Sequence, residues 1–208
     1  EKREIFDDSA QSYDFWRKTV RSYFAALSHA DHQLGRIWDA LKASKHADNT
    51  VVMIVSDHGF HLGDKNRLGK TTLFEQIANV PLIVHDPTLT DSARVDDPVA
   101  LLDVGQTALD YAGLPPLEGC VGRSLRPYLQ GESAPERVVP TFHHEHVSIR
   151  KGQYRLIRYD DGRTQFFDLE SDPWQTRNLG EKHESFAAAM QALRSVSAEY
   201  GLTLADAA

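Results

Sequence analysis

Asp57 and His58 stand side by side, directly after the apolar run Val51-Val52-Met53-Ile54-Val55 and directly before Gly59. A carboxylate and an imidazole carried out of a strand together, with a glycine behind them that tolerates an unusual turn, have the types and spacing of two metal ligands. Two donors do not complete a site. A hard cation such as calcium takes about six to eight oxygens, so further carboxylates must come from elsewhere. The aspartate favours calcium or magnesium, the histidine admits manganese or zinc, and the imidazole must be neutral to coordinate. The same residues also fit a strand-end aspartate capping a turn beside a surface histidine, and spacing by itself does not separate the two.

Ten histidines is a high number for 208 residues, and His143, His144 and His146 fall together. Metal, acid-base or anion chemistry is therefore worth testing there, although a solvated loop is the simpler account of His143 and His144. The single cysteine, Cys120, excludes an internal disulfide and any multi-cysteine zinc site, and it reads as a small packing residue. Asp7-Asp8 is an acidic pair without an apolar strand to deliver it and reads as surface. Asp31 and Asp103 lie on helices, where capping or a buried hydrogen bond is the expected role. Asp168, Asp172 and Pro173 form a turn after a strand and are assigned no chemistry.

The elements that must position these groups follow from hydrophobic period. From Trp16 to about Ala43 apolar residues recur at three and four, predicting a long amphipathic helix with one stripe facing a core. Val51 to Val55 is continuous and apolar, as expected of a parallel strand covered on both faces, and Asp57 and His58 then sit at the carboxyl end of that strand, where ligand sites of open α/β sheets gather. Residues 59–70 read as a loop, Thr71 or Thr72 as the cap of a short helix reaching Asn79, Val80 to Val84 as a second strand, and Val99 to Gly113 as a helix stopped by glycine.

Beyond Gly131 the pattern changes to short β-rich runs, Val138 to Phe142, Val147 to Arg150, Tyr154 to Tyr159 and Gln165 to Leu169. Lys151-Gly152 and Asp160-Asp161-Gly162 punctuate them as hairpin turns. A helix over Glu181 to Tyr200 should pack on that sheet, with Trp174 and Phe166-Phe167 clamping the two together. The expected fold is α/β: the later part of a core sheet with helices over residues 1–131, then a small antiparallel sheet with a terminal helix over 132–208.

The formal net charge of -7 argues against a nucleic-acid binder. No apolar run approaches the roughly 20 residues that span a bilayer, and no signal segment opens the chain. The first residue, Glu1, is consistent with a processed or truncated product, so localisation stays open, the periplasm and secretion included.

The run Val55-Ser56-Asp57-His58-Gly59-Phe60-His61-Leu62-Gly63, followed by Lys70 and Val80-Pro81-Leu82-Ile83-Val84, resembles the late core motif of sulfatases in the alkaline-phosphatase superfamily, most of all the iduronate-2-sulfatase-like branch. The likeness continues in family order through Tyr23-Phe24-Ala25-Ala26-Leu27 and Leu34-Gly35-Arg36 upstream. Downstream it takes in Leu102-Asp103-Val104, Gly122-Arg123-Ser124-Leu125, Tyr154-Arg155-Leu156-Ile157 and Phe167-Asp168-Leu169-Glu170-Ser171-Asp172-Pro173. An ordered series is far more specific than any one member.

The resemblance implies hydrolysis of a sulfate ester, on a sulfated carbohydrate or other small molecule. It makes Asp57 and His58 the later pair of metal ligands, with calcium the family's usual metal, though similar sulfatases often carry Asn where His58 stands. Lys70, which alone would read as a solvated loop lysine, becomes the catalytic and substrate-binding lysine at the sulfate and its bridging oxygen. A cation and an ammonium supply fixed positive charge for the nonbridging oxygens and the leaving alkoxide. His146, just before Ser148-Ile149-Arg150, could reach substrate as well.

Family members attack sulfur with a formylglycine made from Cys or Ser in a Cys/Ser-x-Pro-x-Arg motif near the amino terminus. Cys120, followed by Val121-Gly122-Arg123, is not that motif. The resemblance places the nucleophile, the early Asp-Asp metal pair and the neighbouring basic residues upstream, in a missing amino-terminal part of the same core, so the chain alone is expected to be inactive. Two rivals remain: a phosphodiester or phosphonate monoester hydrolase of the same superfamily, and a non-catalytic remnant or binding module.

Overall fold

A computed structural model describes residues 10–132, 136–202 and 204, without the side chains of residues 10 and 11. Asp7-Asp8 lies outside the described residues. The chain divides into two compact units, residues 1–70 with 80–91 and residues 71–79 with 92–208.

In the first unit, α1 runs from Ala10 to Lys42, longer at its start than the period suggested. Ser44 closes it by donating from Oγ to the Leu41 carbonyl at 2.8 Å. Among the described residues its apolar stripe is largely uncovered: Phe24, Leu27 and Leu34 are exposed and Ile37 is 67% exposed. Three ring contacts tie the helix down at intervals. The Trp16 indole donates to the Leu62 carbonyl at 2.6 Å, Tyr23 lies 5.4 Å from Phe60, and Trp38 meets the His85 ring edge-on at 4.7 Å.

The strand β1 (Val52–Val55) was expected to be parallel and covered on both faces. It instead pairs antiparallel with the later strand of this unit, Leu82–His85, in the register Val52 with His85 through Val55 with Leu82. No residue of either strand is fully buried, and Ile83 is 57% exposed. An all-apolar strand has two faces to cover, and among the described residues this two-stranded ribbon is only partly covered. Between the two lies a hairpin that the sequence presented as plain loop: β2 (His61–Leu62) pairs with β3 (Leu68–Gly69), and Leu82–His85 is then β4.

The second unit holds the antiparallel sheet as expected. Strands β5 (Val138–His143), β6 (His146–Lys151), β7 (Tyr154–Arg158) and β8 (Thr164–Asp168) form a meander in chain order. Gly152 and Gly162, at φ 51° and 83°, supply the left-handed backbone at two of its turns. One face takes the terminal helix, since Val147, Ile149, Leu156 and Phe166 pack with Ala189, Leu193 and Val196 of the helix Phe186–Glu199. The other face packs Ile157, Phe167 and Leu169 on Leu73 and Phe74. Period 2 along each strand sends neighbours such as Phe166 and Phe167 to opposite faces, so only Phe166 meets the terminal helix, through Phe186 at 5.7 Å. Trp174, expected to clamp sheet to helix, is 63% exposed.

The short helix α2 (Glu75–Ala78) starts without the threonine cap expected of it; Phe74 holds the cap position, and Gln175 Oε1 accepts the Glu75 N–H at 2.6 Å in its place. The buried Arg155 and the half-buried Glu75 form an ion pair at 2.6 Å, and Arg155 Nη1 also donates to Ser148 Oγ and the Leu73 carbonyl. Helix α3 (Leu102–Tyr111) is shorter than Val99 to Gly113 but stops as expected, with Gly113 at φ 68°. Asp103 is fully buried at its start, accepting from Ala100 N, Arg123 N and the Arg137 guanidinium. That is the structural role expected of it. Asp31 is exposed in the middle of α1, so no capping or burial applies there. Helices α4 (Arg126–Leu129) and α5 (Phe186–Glu199) complete the unit.

Candidate functional site

The polar run begins where β1 ends. Ser56 still donates its N–H to the Pro81 carbonyl, extending the pairing by one step, and its hydroxyl then donates to the His58 carbonyl at 3.0 Å. This turn brings Asp57 and His58 round to the same side. The His58 N–H donates to Asp57 Oδ1 at 3.0 Å, and His58 Nε2 lies 3.5 Å from Asp57 Oδ2.

The tautomer of His58 follows from its other nitrogen. Nδ1 is 2.8 Å from the Gly59 carbonyl, which can only accept, so Nδ1 carries the proton and Nε2 presents a lone pair. The Lys70 ammonium donates to that lone pair at 2.7 Å. A cation thus already lies against the nitrogen that the sequence reading assigned to a metal. Asp57 is 83% exposed and the His58 side chain 33%, so both donors can be reached from solvent.

Their chemistry fits two ligands of one divalent cation: one neutral imidazole nitrogen, one carboxylate oxygen, and a spacing compatible with a shared ion. They do not make a whole site. Among the described residues no group of three or more His, Cys, Asp or Glu side chains could hold a metal.

The loop between His58 and Lys70 brings the two together, and here the sequence reading missed its principal parts. His61 is fully buried and pairs through Nδ1 with the Asp64 carboxylate, whose other oxygen accepts the Leu62 N–H at 3.1 Å. A histidine three residues from an aspartate within a Gly-rich loop was the available signal.

His146 belongs to the second unit. Its Nδ1 accepts the Asp160 N–H at 3.0 Å, leaving the proton on Nε2, and its ring meets Tyr159 edge-on. His143, expected in a solvated loop, ends β5 opposite His146, whereas His144 is exposed in the turn. Burial lowers the His143 pKa first, and the neighbouring His144 and His146 lower it further.

One stretch passed over in the sequence does have nucleophile-motif spacing: Ser133-Ala134-Pro135-Glu136-Arg137 reads Ser-x-Pro-x-Arg. Ser133 to Pro135 lie outside the described residues. Arg137 pairs with the buried Asp103 at 2.5 Å.

Comparison with known proteins gives the arrangement its context. The sulfatase family model matches residues 1–114, and the model of the N-sulphoglucosamine sulphohydrolase C-terminal region matches residues 63–198. A sulfatase of Formosa agariphila is 33% identical over 182 residues, covering 86% of this chain and 36% of its own length. A structure solved in complex with its substrate D-glucosamine-2-N,6-O-disulfate superposes with a TM-score of 0.77 at 23% identity, over 95% of this chain and 44% of that one. The phosphonate monoester hydrolase of Agrobacterium radiobacter gives 0.72 at 24% identity, over 86% and 40%. The chain belongs to the sulfatase family, with the alkaline-phosphatase-like fold, and spans about a third of the length of the curated relatives it matches.

Proposed function

We propose that this chain is the later part of the catalytic core of a sulfuric ester hydrolase acting on a sulfated carbohydrate. Asp57 and His58 hold a divalent cation, calcium, and Lys70 binds the sulfate. The observation that carries this reading is the convergence of Lys70 Nζ, His58 Nε2 and Asp57 Oδ2 at the exit of β1. When bound, the cation would neutralise the nonbridging sulfate oxygens. Lys70, freed from His58 Nε2 by ligand binding, donates to the bridging oxygen and stabilises the leaving alkoxide. The Gly59 carbonyl keeps His58 in the tautomer whose Nε2 is a donor of electrons, with the Asp57 carboxylate beside it. His146, with its proton on Nε2, is assigned as a hydrogen-bond donor to substrate.

The formylglycine nucleophile and the remaining metal ligands are assigned to residues outside these 208, as part of the same core. The exposed apolar faces of α1 and of the β1–β4 ribbon support this, because apolar area of that kind is normally covered. Residues 1–131 then belong to the catalytic core and residues 132–208 to a carboxyl-terminal subdomain. The likeness to phosphonate monoester hydrolase is one of fold, and it leaves sulfate as the assigned ester.

Because transition-state stabilisation is cooperative among such parts, the 208-residue chain by itself should not turn over. Incubating it with an aryl sulfate and calcium tests this: sustained release of the phenol that Asp57→Ala abolishes would show the chain to be self-sufficient. The parent activity is tested by expressing the gene product with its upstream region and assaying sulfate release from sulfated sugars. No release from any ester, with calcium bound, would defeat the sulfatase reading.

A further inference from the structure

We propose that His61 is a positioning residue for Lys70, acting through Asp64. Lys70 meets His58 only because the chain between them doubles back, and the hairpin that does this consists of two residue pairs, His61 with Gly69 and Leu62 with Leu68. Strands so short do not hold a register by themselves, and a slip of one residue would turn Lys70 to the opposite side. Lys70 directly follows Gly69, the cross-strand partner of His61, so whatever fixes His61 fixes the start of the lysine.

Three sets of contacts fix it. The fully buried imidazole of His61 pairs with one oxygen of Asp64 while the other accepts the Leu62 N–H at 3.1 Å, so a single carboxylate ties both β2 residues to the loop tip. The tip is closed on itself by Gly63 N–H to the Arg67 carbonyl at 2.9 Å and Arg67 N–H to the Asp64 carbonyl at 3.1 Å. From outside, the Trp16 indole holds the Leu62 carbonyl at 2.6 Å. A buried imidazole needs a partner whatever its role, but the carboxylate that supplies it here also accepts the Leu62 N–H and so joins the pairing to the strand. The pairing makes His61 a strut whose partner also controls the strand register. What the Lys70–His58 contact is for rests on the sulfatase reading; the geometry that places it does not.

The test reads the position of Lys70 without using catalysis. The full chain is labelled with limiting N-acetoxysuccinimide, and acetylation of Lys70 is compared by peptide mass spectrometry with that of Lys182 in the other unit and Lys18 on α1, both exposed. His61→Leu and Asp64→Ala should each raise Lys70 labelling about five-fold relative to both references, the effect of releasing one exposed polar contact. His61→Asn, whose amide can replace Nδ1–H, should restore the wild-type ratio. An unchanged Lys70 ratio in both His61→Leu and Asp64→Ala overturns the proposal. So does a rise shared equally by Lys18, which would mark His61 as merely a fold residue. If the parent protein releases no sulfate while the labelling pattern holds, the sulfatase reading fails and this one stands; an active enzyme with an unchanged ratio gives the reverse.

Discussion

Lys70 Nζ lies 2.7 Å from His58 Nε2 although the two are twelve positions apart in the chain. The ammonium occupies the lone pair that the proposed metal would use, so under that proposal lysine and cation would compete for one nitrogen until an anionic ligand drew the lysine away. The proposed reading would therefore couple substrate binding to metal binding.

Removing the lysine should therefore separate the two. In the parent enzyme Lys70→Ala is expected to lower kcat/KM on an aryl sulfate by about 10²- to 10³-fold, the usual loss for a positioned charge at a developing anion. Calcium affinity, read by calorimetry, should stay the same or rise.

Asp57→Ala should act on the metal first. The expected outcome is calcium affinity weakened by about a hundredfold and activity regained only at raised calcium. Activity unaffected by both the substitution and chelation with EGTA would remove Asp57 from the metal site.

The Arg155–Glu75 ion pair predicts an asymmetric mutational response. Arg155→Met strands the half-buried Glu75 carboxylate and should cost about 3 to 5 kcal/mol in urea unfolding. The double variant Arg155→Met with Glu75→Gln should recover much of that, because it is the uncompensated charge that is costly rather than the absence of the pair.

Gly63 is fixed by sterics. Its φ of 122° disfavours any side chain, and a Cβ there would stand 2.5 Å from Trp16 Nε1. Gly63→Ala should lower the melting temperature of the first unit, by more than about 1 kcal/mol in stability. Trp16→Phe in that background should relieve only the steric part.

Acid should loosen the second unit through His143. Its pKa is lowered in the fold, by burial first and then by His144 and His146, so below the ordinary value of about 6.5 the unfolded chain takes up a proton that the folded chain resists. Stability is then full above that value and falls as pH drops through the window beneath it. Urea midpoints at pH 7.5 and 5.5 should differ in that direction, and His143→Gln should flatten the difference.

Some of this molecule was written locally. Asp57-His58-Gly59 after an apolar run, the four β-rich runs with their Gly turns, and the terminal amphipathic helix each depend on neighbours in sequence, so residue type and period sufficed to place them. The ordered motifs from Tyr23 to Pro173 carried the family. Other features depend on residues far apart and needed the tertiary structure. The antiparallel pairing of β1 with β4 hinges on a partner about thirty positions away. Phe167 and Trp174 could not be told apart as anchor and surface ring, because both are aromatic and only packing ranks them. The hairpin that carries Lys70 back to His58 is held by a buried His61–Asp64 pair and by Trp16 on a different element. Side-chain period reports which face a residue occupies, but it is silent on what stands opposite, and that contact decides the chemistry.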